Sequence, residues 1–120
     1  MNTSTREPVI QLVQSEPGYL TISASVSWPA GVGSDTLGAE STGRLLICSC
    51  LEQLKKLGLQ ENAVVRTRIR MSDPAFWPIL AAIRHELMAR SRAVSTFEVD
   101  CDDSTDDHLV AEFEAEQAAA

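Results

Sequence analysis

Two sets of like charges in this 120-residue chain repeat at a spacing that could do chemistry: Arg66, Arg68 and Arg70, then Glu112, Glu114 and Glu116. A period of two puts every member of each set on one side of a β-strand. Guanidinium groups bind carboxylates through paired, charge-assisted hydrogen bonds, and carboxylates position water or move protons. Two readings follow. In the first, both stripes lie on a solvated sheet face and form cross-strand ion pairs, each worth under about 1 kcal/mol. In the second, they line a cavity between subunits in which arginine holds an anionic group and glutamate manages protons. The residue pattern leaves both open.

Other reactive side chains are more isolated. His85 falls in a helical stretch and His108 at the start of the last strand, and neither has a nucleophile motif beside it, so both read as structural or solvent-facing. Cys48 and Cys50 lie in an apolar helical run, where a buried thiol acts as a small hydrophobe. Asp100, Asp102, Asp103, Asp106 and Asp107 form an acidic loop that lacks the ligand periodicity and closing Glu of a calcium loop, which points to no metal. Trp28 and Trp77 read as packing residues. No GxGxxG, P-loop, HExxH or GxSxG string is present, so no nucleotide or other cofactor is implied.

The elements that must position the stripes follow from periodicity. Val9 to Val13 is a short β-prone run closed by Glu16-Pro17-Gly18, and Leu20, Ile22, Ala24 and Val26 alternate with polar residues as a second strand. Residues 28–38, with Pro29, Gly31, Gly33 and Gly38, read as a loop. From Gly38 to Leu57, Leu46, Cys50, Leu54 and Leu57 recur at helical spacing, widened by Leu45, Ile47 and Leu51. Lys55 and Lys56 suit the helix dipole there, and Gly58 is placed as a left-handed C′ residue.

The arginine strand, Val64 to Met71, has Val65, Thr67, Ile69 and Met71 on its other side. After the Ser72-Asp73-Pro74 turn, residues 73–77 lead into a helix that starts near Pro78 and runs to about Arg90, with Phe76, Leu80, Ile83 and Leu87 on one stripe. Val94 to Val99 and Leu109 to Glu116 close the chain as strands, and residues 118–120 read as a frayed tail to a single domain over 1–117. The order β-β-α-β-α-β-β predicts an α+β fold, with a mixed sheet covered on one face by two helices.

Charge and composition limit the partners. Ten Lys and Arg against 17 Asp and Glu give a net charge of −7, which disfavours nucleic acid. The polar first residues, Met1 to Pro8, do not read as a secretory signal, and no apolar run approaches a membrane span. Cys48, Cys50 and Cys101 are odd in number and have no CxxC spacing, which fits a reducing compartment and a cytoplasmic protein. A domain of this size has a small core, so association with further copies is a natural way to bury more surface and to share a site.

Several strings, in order, resemble the Rid family of small proteins, also called YjgF/YER057c/UK114. Gly18-Tyr19-Leu20-Thr21-Ile22-Ser23-Ala24 is similar to its G-x-L-x-x-S-G strand, and Leu51 to Val65 to its helix-to-strand passage. Arg66 to Phe76 resembles the strand ending in D-x-x-x-F, Ser95 to Val99 the string R-T-x-V-E-V, and Val110 to Ala115 the closing V-E-I-E-A. The likeness spans about residues 18–116. It implies a chorismate-mutase-like protomer and a homotrimer with sheets inside, helices outside and ligand sites in the inter-subunit clefts.

In active family members an arginine anchors the carboxylate of a 2-imino or 2-enamino acid, and a glutamate on the last strand positions the hydrolytic water. That glutamate corresponds to Glu114, and the family's early-strand serine to Ser23. Val94 stands where the family has its carboxylate-binding arginine, with Arg92 two residues before it, displaced by about 7 Å along an extended strand. A valine cannot make the bidentate pair. Ala24 replaces the family glycine after the serine, and the N-terminal tyrosine motif is absent.

An arginine-lacking subgroup is implied, with trimer and cleft retained and the ligand changed. The first functional expectation is a small-metabolite binder using Ser23, Glu114 and the arginines Arg66, Arg68, Arg70 or Arg92. The second is an imine or enamine deaminase in which one of those arginines substitutes as anchor. The endoribonuclease role sometimes attached to the family fits the acidic balance least.

Overall fold

Tyr19–Pro29 (β2) sends Leu20, Ile22, Ala24 and Val26 inward, all buried, while Tyr19, Thr21, Ser23 and Ser25 stay half-buried on the other side. Asp106–Glu116 (β5) does the same with buried Leu109, Ala111, Phe113 and Ala115. These two strands pair antiparallel along their whole length, from Tyr19 opposite Glu116 to Pro29 opposite Asp106, and form the middle of the protein. The computed structural model describes residues 9–16, 18–29, 36–100 and 106–116. Met1 to Pro8, residues 30–35, Cys101 with Asp102 and Asp103, and the C-terminal tail therefore lie outside the described residues, as does the side chain of Trp28.

Val9–Glu16 (β1) joins the free edge of β2 antiparallel, and Val64–Met71 (β3) joins β5 antiparallel. Val94–Val99 (β4) pairs parallel with β3, completing a five-stranded mixed sheet among the described residues, in the order β1-β2-β5-β3-β4. A parallel neighbour needs a crossover, and Trp77–Leu87 (α2) supplies it between β3 and β4. Thr36–Lys56 (α1) connects β2 to β3. Buried residues of both helices, including Leu46, Ile47, Cys50, Leu80 and Ile83, share one core with the inward strand residues, so both helices cover the same sheet face. The mixed α+β architecture expected from the periodicity is the one present.

Local chemistry sets the boundaries. At the end of α1 the Leu59 N–H donates to the Leu54 carbonyl at 2.8 Å and the Gly58 N–H to the Lys55 carbonyl at 3.0 Å. With Gly58 at φ 77°, this is a Schellman cap. Before α2, the Asp73 carboxylate accepts from the Ala75 N–H at 2.9 Å and caps a 3₁₀ turn at Pro74–Phe76, with Pro78 in the first turn of the helix itself. The helix stops at Leu87, short of Arg90, because Met88 leaves helical geometry at φ −128°, ψ 41° and buries its side chain.

Several expectations need correction. Leu45 and Leu57 are 47% and 42% exposed, so the buried stripe of α1 runs instead through Ala39, Thr42, Leu46, Ile47, Cys50 and Leu54. A register shift between Val64 and Arg66 lets Val64 reach the core while Val65 is only half-buried. Trp28 and Pro29 extend β2 rather than opening a loop, because β5 begins at Asp106 and supplies their ladder partners. Helix α1 begins at Thr36, before Gly38. Trp77 packs as expected, stacked on Phe97 with ring centroids 5.9 Å apart, while 46% of it stays exposed.

Candidate functional site

The helix-free face carries both charge stripes, and the ladder register arranges them in rows. One row runs Val94 on β4, Arg66 on β3, Glu114 on β5 and Thr21 on β2. The next runs Thr96, Arg68, Glu112 and Ser23, and the third Glu98, Arg70, Val110 and Ser25. Neighbouring strands lie about 4.8 Å apart, so an arginine on β3 reaches carboxylates on both flanking strands.

Two arginines take diagonal partners. Arg68 crosses to β4, where its Nε and Nη2 donate to one Glu98 oxygen at 2.8 and 2.7 Å. That hydrogen bond, and secondarily the charge of Glu98, raises the Arg68 pKa above its ordinary value. Arg70 crosses to β5, where its Nη2 lies 3.1 Å from Glu112 Oε1. Arg66 is exposed and makes no ion pair among the described residues, although Glu114 is its register partner. A cleft of about 210 Å³ opens at this point, lined by Thr21, Arg66, Arg68, Glu112 and Glu114.

The charges of that lining can be sorted. Glu98 compensates Arg68 and Arg70 compensates Glu112, both from outside the cleft, which leaves Arg66 as its cation and Glu114 as its anion. An ion pair between exposed partners contributes little, so a ligand with a carboxylate can displace water from Arg66 at small cost. Arg68 and Arg70 thus form cross-strand ion pairs, while Arg66 and Glu114 make none among the described residues.

The structure brings Arg66, Arg68 and Glu114 together and keeps Arg70 one row away, as the partner of Glu112. Ser23 is half-buried on β2 opposite Glu112, one row from Glu114, and does not line the cleft. Arg92 is exposed in the segment before β4, which begins at Val94, so it never joins the strand that would turn it toward Glu114. Val94 itself is 65% exposed beside Arg66. Glu112, a member of the glutamate stripe, lines the cleft as well, and Thr21 is the lining residue that the sequence did not single out; its alternation with Leu20 and Ile22 gave its face but not its row.

Elsewhere, the His108 ring lies 2.9 Å from Asp100 across the end of β3, and Ser72 bonds both Asp107 and the His108 backbone, so His108 ties strand ends together. His85 is exposed on α2. Burial pushes the Cys50 thiol up to about 12. A second cavity of about 360 Å³ lies on the helical layer, where Arg44 bridges Glu40 and Glu86. Among the described residues, no group of three or more His, Cys, Asp or Glu is placed to hold a metal ion, and no helix is long and apolar enough to cross a membrane.

No protein-family model and no curated protein matches the sequence. Solved structures do match. A candidate endoribonuclease from Thermotoga maritima superposes with a TM-score of 0.68 at 12% identity, covering 91% of this chain and 86% of that one. A Mycobacterium tuberculosis member of the YjgF/YER057c/UK114 family gives a TM-score of 0.58 at 21% identity, over 80% of this chain and 83% of that one. A Streptococcus pyogenes member of the yjgF family gives 0.58 at 14% identity, over 92% and 98%. The five-stranded sheet with both helices on one face is therefore the fold of the YjgF/YER057c/UK114 proteins.

Proposed function

We propose that this chain is a cytoplasmic homotrimer that binds a small carboxylate-bearing metabolite in clefts between its subunits. The observation that carries the reading is Arg66: it is exposed, without an ion pair among the described residues, in a cleft that also holds Glu114. Bidentate pairing of a guanidinium with a carboxylate is strong and directional, and Arg66 takes over the anchoring duty that Val94 cannot perform. The trimer buries the helix-free sheet faces against one another, covering Val9, which is 61% exposed on that face of the protomer, and leaves the row of Val94, Arg66 and Glu114 facing the cleft.

A second reading has a specific observation behind it. Glu114 lines the same cleft as Arg66, so a 2-imino acid held there by its carboxylate would present its imine carbon near a carboxylate able to orient water. Addition of one water to 2-iminopropanoate gives pyruvate and ammonia, with no oxidant or cofactor required. The endoribonuclease name of the Thermotoga neighbour transfers least well, since a net charge of −7 opposes a polyanionic substrate.

Light scattering in solution should give the mass of three protomers; one or two would contradict the assembly. Ammonia release from 2-iminopropanoate generated in place separates the readings. Acceleration that disappears in Glu114→Ala establishes the deaminase, and equal rates with and without protein leave the binder.

A further inference from the structure

The charge sorting in the cleft says more about the ligand than that it carries a carboxylate. Two charges in the lining are satisfied from outside it, by Glu98 and Arg70, and the two left over have opposite sign. They stand on adjacent strands in one row, Arg66 opposite Glu114. A simple carboxylate satisfies Arg66 and pushes a second negative charge toward Glu114, which a neighbouring anion disfavours. A ligand with an anion and a cation a few ångströms apart satisfies both. On the other flank of Arg66, Val94 offers an exposed apolar surface. The cavity, at about 210 Å³, is below the ~300–1,000 Å³ of drug-sized sites and suits one small metabolite.

We propose that the cleft selects a zwitterionic amino acid with an apolar side chain, its carboxylate on Arg66, its ammonium on Glu114 and its side chain against Val94. This rests on the carboxylate-binding reading above and narrows it from any small carboxylate to an amino acid. Arg66 supplies the affinity common to all carboxylates, Glu114 discriminates by charge, and Val94 discriminates by side-chain polarity.

Calorimetric titration of the purified protein with three probes tests this: L-valine, the 2-oxo acid of the same carbon skeleton, and L-valinamide. L-valine should bind at least about tenfold more tightly than either analogue, the ratio expected from one charge-assisted hydrogen bond. In Glu114→Gln, close in shape to the native residue, the ratio of L-valine to the 2-oxo acid should collapse to within about threefold. Equal binding of L-valine and the 2-oxo acid by the native protein would overturn the zwitterion and leave the carboxylate reading standing. Binding of neither would overturn both. A preference for L-valine that persists undiminished in Glu114→Gln would refute the role given to that residue.

Discussion

Cys50 separates two accounts of the cysteines, thiol chemistry and packing, and it does so through pH. Its side chain is fully buried on α1 among core residues, and burial pushes the thiol from 9.0 up to about 12. The unfolded chain loses that proton near pH 9 while the folded chain keeps it, so above pH 9 the unfolded state binds fewer protons and folding stability falls as pH rises. The contribution is fully present below the unfolded pKa and is lost progressively from there through the folded value. At pH 10 the loss from this one group is between about 1 and 2 kcal/mol.

Urea unfolding of the native protein and of Cys50→Ala, at pH 8 and pH 10 and one fixed protein concentration, isolates the effect from other alkaline titrations. The substitution adds a pH-independent cost from the lost sulfur, and the native protein should lose that additional increment between the two pH values. Parallel pH dependence in the two proteins would refute the sealed-core assignment. Alkylation at pH 8 gives a second check. A thiol near pKa 12 is ionised in about one molecule in ten thousand, against roughly one in ten at 9.0, so Cys50 should stay unlabelled while the protein is folded.

Gly58→Ala should destabilise by about 1 kcal/mol and lower Tm by several degrees. Nothing lies within 4 Å of the added Cβ, so only the left-handed backbone at φ 77° opposes it, partly offset by lost unfolded-state freedom. No change in Tm would contradict the Schellman assignment. Phe113→Ala, at the centre of β5 and fully buried, should cost about 3–5 kcal/mol in denaturant unfolding. A loss under about 1 kcal/mol would mean that β5 does not run through the core.

Much of the fold was legible because alternation and helical spacing depend on neighbours close in sequence. Leu20 to Val26, Arg66 to Met71 and Leu109 to Glu116 each declared their faces. What short-range pattern cannot supply is register between strands. Nothing in the spacing of Arg66 and Glu114 says that they share a row, or that Arg68 and Arg70 reach diagonally to Glu98 and Glu112. Thr21 was hidden for the same reason, and the shift at Val64 is a property of the β3–β5 ladder rather than of β3 alone. Arg92 was given a strand position by counting back from Val94, but parallel pairing with β3 begins only at Val94. Leu45 and Leu57 are apolar at helical spacing yet point outward, since α1 packs on β2, β5 and α2 through a narrower stripe.

Arg66 as the carboxylate anchor is tested most directly by calorimetric titration of 2-oxobutanoate into the native protein, Arg66→Ala and Arg92→Ala. Saturable binding by the native protein should weaken by about tenfold or more in Arg66→Ala, the cost of one charge-assisted pair, and stay within about twofold in Arg92→Ala. Undiminished binding by Arg66→Ala, or a loss confined to Arg92→Ala, would contradict it.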